Sequence, residues 1–455
     1  MASGPGAVCR RVVILGAGGR DFHNFNTVYR DDPAVEVLAF GAAQIPGIAG
    51  RRYPPPLAGA RYPEGIPILD EADLLEYCRV NPVDQVVFAY SDVSHMDVMH
   101  TASRFLAAGC TFTFLGPRAT MLEARKPVVA VTAVRTGCGK SPVSRYIAGL
   151  LREAGLRVGV LRHPMPYGDL ARQDVQRFAV LEDLDAADCT IEEREEYQPY
   201  VDAGNVIFAG VDYARILAAA EAEADVILWD GGNNDFPFIR PDLLIVLADA
   251  LRPGHETDYH PGETLLGMAD HVLIMKVRDA AAKDVEAIEA AARAANPGAG
   301  ILRGDLAVTL DDPAAVNGRS VLVVEDGPTI THGGRPTGAG FVAATAAGAS
   351  SVIDPRPFVG DALAETFAHY PHIGAVLPAV GYYPEQLAAL EQAIAQVPAD
   401  VVVLATPARL EGLIKITKPV ARADYAFAEA SGPGLAGIVA TFAERLGNTG
   451  PGRGA

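Results

Sequence analysis

The stretch that most constrains the fold is VVAVTAVRTGCGKSPVSRYIAGLL, Val128 to Leu150. The β-branched run Val128 to Val131 reads as a buried strand. A small-residue turn from Ala133 to Gly139 follows, then Lys140, Ser141 and a helical pattern with Val143, Ile147, Leu150 and Leu151 on one face. A strand, a glycine-bearing turn and a helix start in that order make a concave anion site from successive backbone N–H groups. In such a site the backbone of Thr136, Gly137, Cys138 and Gly139 wraps phosphates, Lys140 reaches the terminal ones, and the Ser141 hydroxyl holds Mg2+. The plainer alternative is an ordinary strand-to-helix turn.

The loop departs from G-x-x-x-x-G-K-[ST], because Val134 stands where the first Gly belongs. The frame T-A-V-R-T-G-C-G-K-S resembles the longer loop of dethiobiotin synthetase, with Ala133 in place of Gly. Arg135 stands where the similar MinD-like ATPases carry a lysine that reaches across a dimer, so a homodimer is expected. A second motif supports the first. Val226 to Trp229 lead into Asp230, Gly231 and Gly232, the pattern of a strand that presents a carboxylate to a Mg2+ water shell. Metal ligands are therefore expected at Ser141 and Asp230. The strand ending in Lys276 is similar to the one that carries the guanine-reading N-K-x-D, but Arg278 replaces the Asp. ATP is thus favoured over GTP, with the stem of Lys276 against the base.

The rest of the chain also alternates strand and helix, and the expected class is α/β. Residues 1–124 read as a Rossmann-like parallel sheet, 125–319 as a P-loop NTPase unit, 320–446 as a C-terminal α/β substrate region and 447–455 as a disordered tail. Gly16, Gly18 and Gly19 follow the first strand, but Asp21 replaces the third Gly of a dinucleotide fingerprint. Arg20, His23, Asn24, Ser91, Asp92 and His95 fall in the crevice at the strand ends, where such sheets bind ligands. The acidic stretch Glu182 to Gln198 reads most simply as a solvated helical face. The net charge of −18 argues against nucleic-acid binding and requires a local cation cluster for any polyanionic substrate. The five Cys lack metal or disulfide spacing and no apolar run spans a bilayer, so a cytoplasmic protein with no membrane contact is expected.

VRTGCGKS, VEDGPTITHGG followed by GAG, LPAVGY and ATPARL…ITKPV together resemble cyclic 2,3-diphosphoglycerate synthetase and its homologues, from the N-terminal unit to about Glu429. That resemblance implies an ATP- and Mg2+-dependent synthetase that closes an intramolecular phosphoanhydride in a small phosphorylated substrate and releases ADP and phosphate. Crowding like-charged phosphates costs about 4 kcal/mol per close pair at an intermediate dielectric, so cations must gather. Lys140, Arg135, Arg162, Arg252, His332 and Lys418 are the candidates: Lys140, Arg135, Arg162 and His332 form the catalytic set with Asp230, and Arg252 and Lys418 are expected to bind substrate. Glu325, Asp326, Thr329, Thr331, Gly333 and Gly334 are expected on the substrate side. Two alternatives stay open: a GTPase or metallochaperone-like switch, and an ATP-dependent ligase acting on another phosphorylated or carboxylated substrate. All of these readings need the phosphate loop. Lys140→Ala is expected to abolish nucleotide turnover, measured as phosphate release.

Overall fold

The run Val128–Ala133 forms a strand buried along its whole length, as an apolar, β-branched segment between two helical layers must be. The computed structural model describes residues 9–43, 48–163, 170–232, 234–331, 333–380, 384–431 and 434–448. His332 and residues 449–455 of the expected tail lie outside these. Val128–Ala133 pairs in parallel with Val226–Gly231 on one side and Leu243–Asp249 on the other. Outward from Val226–Gly231 come Val158–Arg162, Val206–Ala209 and the antiparallel edge Gln176–Phe178. Outward from Leu243–Asp249 come His271–Met275 and Gly300–Leu310. The helix Lys140–Glu153 packs Val143, Ile147, Ala148 and Leu151 against the sheet.

Separate strands are expected near Ile301 and Ala307. The chain instead forms one strand of 11 residues, Gly300–Leu310, which pairs antiparallel with Val420–Ser431. That pairing carries the sheet on into Val401–Ala405, Ser320–Asp326 and Ser351–Val352. The expected boundary between residues 319 and 320 therefore does not interrupt the sheet. Phe427 sits at the joint, buried, with its ring centroid 5.0 Å from that of Tyr146 on the phosphate-loop helix.

Residues 10–114 build a second sheet in the order Arg52–Tyr53, Ile66–Asp70, Val35–Ala42, Arg10–Leu15, Gln85–Phe88, Thr111–Phe114. It is parallel except at Arg52–Tyr53. A two-residue antiparallel ribbon, Val93–Ser94 with Tyr259–His260, ties it to the central unit. His23 stacks on Phe238 at 4.0 Å, and Arg20 pairs with Asp235 at 2.8 Å. Both sheets thus open towards a common region. Among the described residues no helix is long and apolar enough to cross a membrane.

Because the sheet is continuous, a cavity cut at its joint should be felt throughout. Phe427→Ala is expected to cost roughly 3–5 kcal/mol. Trp229 fluorescence and far-ultraviolet dichroism should still report one coincident denaturant transition, at a lower midpoint.

Candidate active site

The phosphate loop turns at Gly137 and Gly139, with φ of 81° and 101°, in the region where a side chain is strained. Its carbonyls are held from outside. Arg252 Nη2 donates to the Thr136 carbonyl at 2.7 Å, and Lys276 Nζ donates to the Gly137 carbonyl at 2.7 Å. Both cations are anchored on Asp249, at 2.9 and 2.6 Å. Burial would raise the Asp249 pKa, but Lys276 and Arg252 hold it below the usual range. Arg252 therefore braces the loop in this structure, where a substrate contact was expected. Lys276 lines the cavity but is held by its ammonium, in a left-handed conformation at φ 63°. Cys138 lies buried under the loop.

Asp230, fully buried, is the hub of the next layer. One carboxylate oxygen accepts from Lys140 at 2.7 Å and from Ser144 at 2.5 Å; the other accepts from Arg162 at 2.5 Å and Tyr200 at 2.8 Å. Burial alone would raise its pKa, but Arg162 and Lys140 hold it well below the carboxylate range. Arg162 pairs at its other end with Glu196. It is a buried strut between two carboxylates, where a cation facing substrate phosphate was expected. Among the described residues there is no group of three or more His, Cys, Asp and Glu able to hold a metal ion. A Mg2+ carried by nucleotide phosphates needs only one or two protein ligands. Ser141, at the cavity wall, fits that role. Asp230 fits it only through water, or after Lys140 turns towards a phosphate.

Two cavities meet above this layer. The first, of about 240 Å3, is lined by Arg135, Thr136, Gly137, Gly139, Lys140, Ser141, Lys276, Glu325, Asp326 and Thr329, all expected site residues. Arg145, Glu195, Glu196, Asp305, Arg335 and Tyr425 join them. The second, of about 630 Å3, lies between the N-terminal sheet and the central unit, and takes in Arg162, Thr331 and Gly334. Thr136, Glu196 and Pro328 line both.

Several expected roles change here. The Glu325 carboxylate caps the helix Ala339–Ala346, accepting from the amides of Gly338, Gly340 and Phe341 at 3.0, 3.1 and 2.8 Å. Burial, only partly offset by those amides, raises its pKa to about 7. Asp326 accepts from Thr329 N–H at 3.2 Å and from Tyr425 at 3.0 Å. The Thr331 hydroxyl donates to the Gly327 carbonyl at 2.8 Å. Gly333 is buried in a turn where a Cβ would lie 2.3 Å from the Thr329 carbonyl oxygen. Lys418 lies away from both cavities, donating to the Ile394, Ala395 and Val397 carbonyls at the end of the helix Pro384–Gln396. Arg135 is engaged within its own chain by Asp92 and by His255, and stacks on Tyr259 at 3.6 Å.

The residues that sequence reasoning missed lie in the acidic stretch. Glu193, Glu195, Tyr197, Gln198 and Tyr200 of the helix Ile191–Asp202 are buried, so this is not a solvated face. Glu195 accepts from the Thr406 hydroxyl through one oxygen; the other makes no hydrogen bond of ordinary geometry. Burial, reinforced by Asp326, raises its pKa well above normal. The available signal was Tyr197 and Tyr200, three apart, which mark a buried stripe flanked by Glu193 and Glu196.

A phosphate loop between a buried parallel strand and a helix, facing an aspartate at the end of the neighbouring strand, defines a P-loop nucleotide-dependent enzyme. Arginine synthetase ArcE of Thermococcus kodakarensis is 53% identical over 435 residues, covering 96% of this chain and 97% of that protein. The chain belongs to that family, and it is an ATP-dependent ligase. No family model matches it. Among solved structures, LpxK of Aquifex aeolicus in complex with ATP aligns over 71% of this chain and 90% of its own, at 13% identity and a TM-score of 0.43. The hydrogenase maturation factor HypB of Archaeoglobus fulgidus aligns over 40% and 81%, at 17% identity and a TM-score of 0.27. The expected synthetase class holds; the relative's name carries no cyclic diphosphoglycerate.

Burial first, and then Arg162, lowers the Lys140 pKa to about 8 against the pull of Asp230. A bound phosphate raises it again, so nucleotide binding takes up a proton at and above that pH. Calorimetric titration of ADP at pH 8.5, in two buffers of different ionisation enthalpy, should show this uptake. Affinity should fall as pH rises through 8.

Proposed function

We propose that the chain is an ATP-dependent ligase whose product is arginine or a close guanidino analogue. The nucleotide occupies the first cavity, with its terminal phosphate at Lys140. The observation that carries this reading is the charge around that phosphate end. Among the described residues the second cavity is walled by the carboxylates of Asp21, Asp92, Glu192, Glu196 and Asp235 against two guanidinium groups, Arg20 and Arg162, and three imidazoles, His163, His369 and His372. Arg20 is paired with Asp235, and Arg162 with Asp230 and Glu196. A guanidinium is at home beside such carboxylates. A bisphosphate would face like charges at about 4 kcal/mol per close pair. The phosphoanhydride-forming reading is therefore the second choice, supported by the sequence motifs alone.

The chemistry follows from the product. The γ-phosphoryl group passes to a ureido oxygen, breaking its bond to the β,γ-bridging oxygen and releasing ADP. Ammonia or an amine then adds to the activated carbon, loses a proton, and phosphate leaves with the former ureido oxygen. Lys140 and the loop amides hold the transferring phosphoryl group. Mg2+ bound with the nucleotide at Ser141 would neutralise phosphate charge. Glu196 faces the cation that forms.

L-Citrulline, the ureido counterpart of arginine, is the acceptor to try. With ATP, Mg2+ and ammonium it is expected to give arginine, ADP and phosphate in equal amounts, by chromatography and a phosphate assay. A cyclic product from 2,3-bisphosphoglycerate in phosphorus NMR, with no arginine formed, overturns the proposal. Partner-stimulated hydrolysis of GTP alone would favour a switch protein instead.

A further inference from the structure

We propose that the second cavity is the amino-acid site, and that the N-terminal sheet is in the molecule to supply one of its walls. This rests on the guanidino reading above and deepens it. The cavity opens at the carboxyl ends of both sheets, where the Gly16–Gly19 turn faces Gly232 and Asn234. The turn has the shape of a phosphate-binding one, but its amides are engaged: Gly18 and Gly19 N–H donate to Asp21 Oδ1 at 2.8 and 3.1 Å. An anionic phosphate would have to displace a carboxylate of its own sign. The N-terminal unit is thereby turned from a dinucleotide site into a neutral-to-acidic wall.

Direction comes from the shared residues. Thr136 and Glu196 line both cavities, so the end of the second cavity that they close is the end next to the transferring phosphoryl group. The ureido or guanidino end of the ligand lies there, beside Glu196. The α-amino-acid end points towards Ala43 and Tyr90 of the N-terminal unit. Asn234, 2% exposed, lines the same cavity with an amide nitrogen that has no hydrogen-bond partner among the described residues, a donor available to a ligand oxygen. His163 is not a free base here. Its ring nitrogens are engaged by Tyr213 at 2.5 Å and Asp235 at 3.0 Å, and through Asp235 it fixes Arg20.

The test is calorimetric titration of L-arginine into the full-length protein with ADP present. Asn234→Ala, which removes the unpartnered donor, and Ala43→Trp, which fills the cavity from an exposed position, should each weaken arginine at least tenfold. ADP affinity should change less than twofold, which also certifies folding. Hydrogen exchange on the unaltered protein gives a reading independent of variants: arginine should protect residues 16–24 and 84–94. Arginine binding that survives both variants, leaves those segments unprotected and is lost in Glu195→Gln places the amino acid in the first cavity and overturns this inference alone. An unaltered protein that binds ADP and no arginine overturns it together with the guanidino reading.

Discussion

The Asp230 carboxylate is the interaction on which the site depends. A fully buried carboxylate without partners costs several kcal/mol, and this one is met by two cations and two hydroxyls. They come from three directions: Lys140 and Ser144 from the phosphate-loop helix, Arg162 from the next strand, and Tyr200 from the helix Ile191–Asp202. Satisfying one charge therefore fixes the relative positions of all the elements around the terminal phosphate. The arrangement is also poised for exchange. When a phosphate draws Lys140 away, Asp230 keeps Arg162 and Tyr200, so the incoming anion is met without leaving an unpaired charge behind.

Asp249 does the same on the other side of the loop through Arg252 and Lys276. Between them the two aspartates engage four of the cations that line or underlie the site. On the proposed reading, this pairing bears on the substrate more directly than a count of basic residues does. A cluster of lysines and arginines near a phosphate loop suggests a polyanionic substrate, yet Arg20, Arg135, Lys140, Arg162, Arg252 and Lys276 each already have a carboxylate, while Arg145 and Arg335 remain in the wall of the first cavity. The wall of the second cavity is rich in carboxylates, and Glu195 and Glu196 reach the first from a helix whose residues are buried or half-buried except for Asp202.

The contrast shows what was legible in the sequence. Val128 to Ser141 could be read because its contacts are local: a buried strand, two positive-φ glycines and a helix start follow one another along the chain, and the structure keeps that order. Asp230 was legible through its hydrophobic run. The destinations of Arg162, Arg252 and Lys418 were not, because a long cationic side chain takes whichever carboxylate or helix-end carbonyl the tertiary fold brings near. Lys418 illustrates this: it sits inside the conspicuous run ITKPV, yet it caps a helix end. The continuous sheet was hidden for a similar reason. The pairing of Gly300–Leu310 with Val420–Ser431 spans over a hundred residues, and periodicity alone says nothing about partners so distant.

Asp92 connects the two sheets chemically as well as sterically. It lies on the N-terminal unit, lines the second cavity, and accepts from both Arg135 and the Thr136 amide. Arg135 is in turn held over Tyr259, beside the short ribbon that joins the units. A ligand in the second cavity thus sits against a carboxylate that already positions the first residues of the phosphate loop. If Arg135 is to serve a phosphate, whether its own subunit's or a neighbour's, Asp92 must release it. A cationic ligand end near Asp92 weakens that hold by competing for the same carboxylate. On the proposed reading, occupancy of the second cavity and the availability of Arg135 to a phosphate are coupled through one side chain.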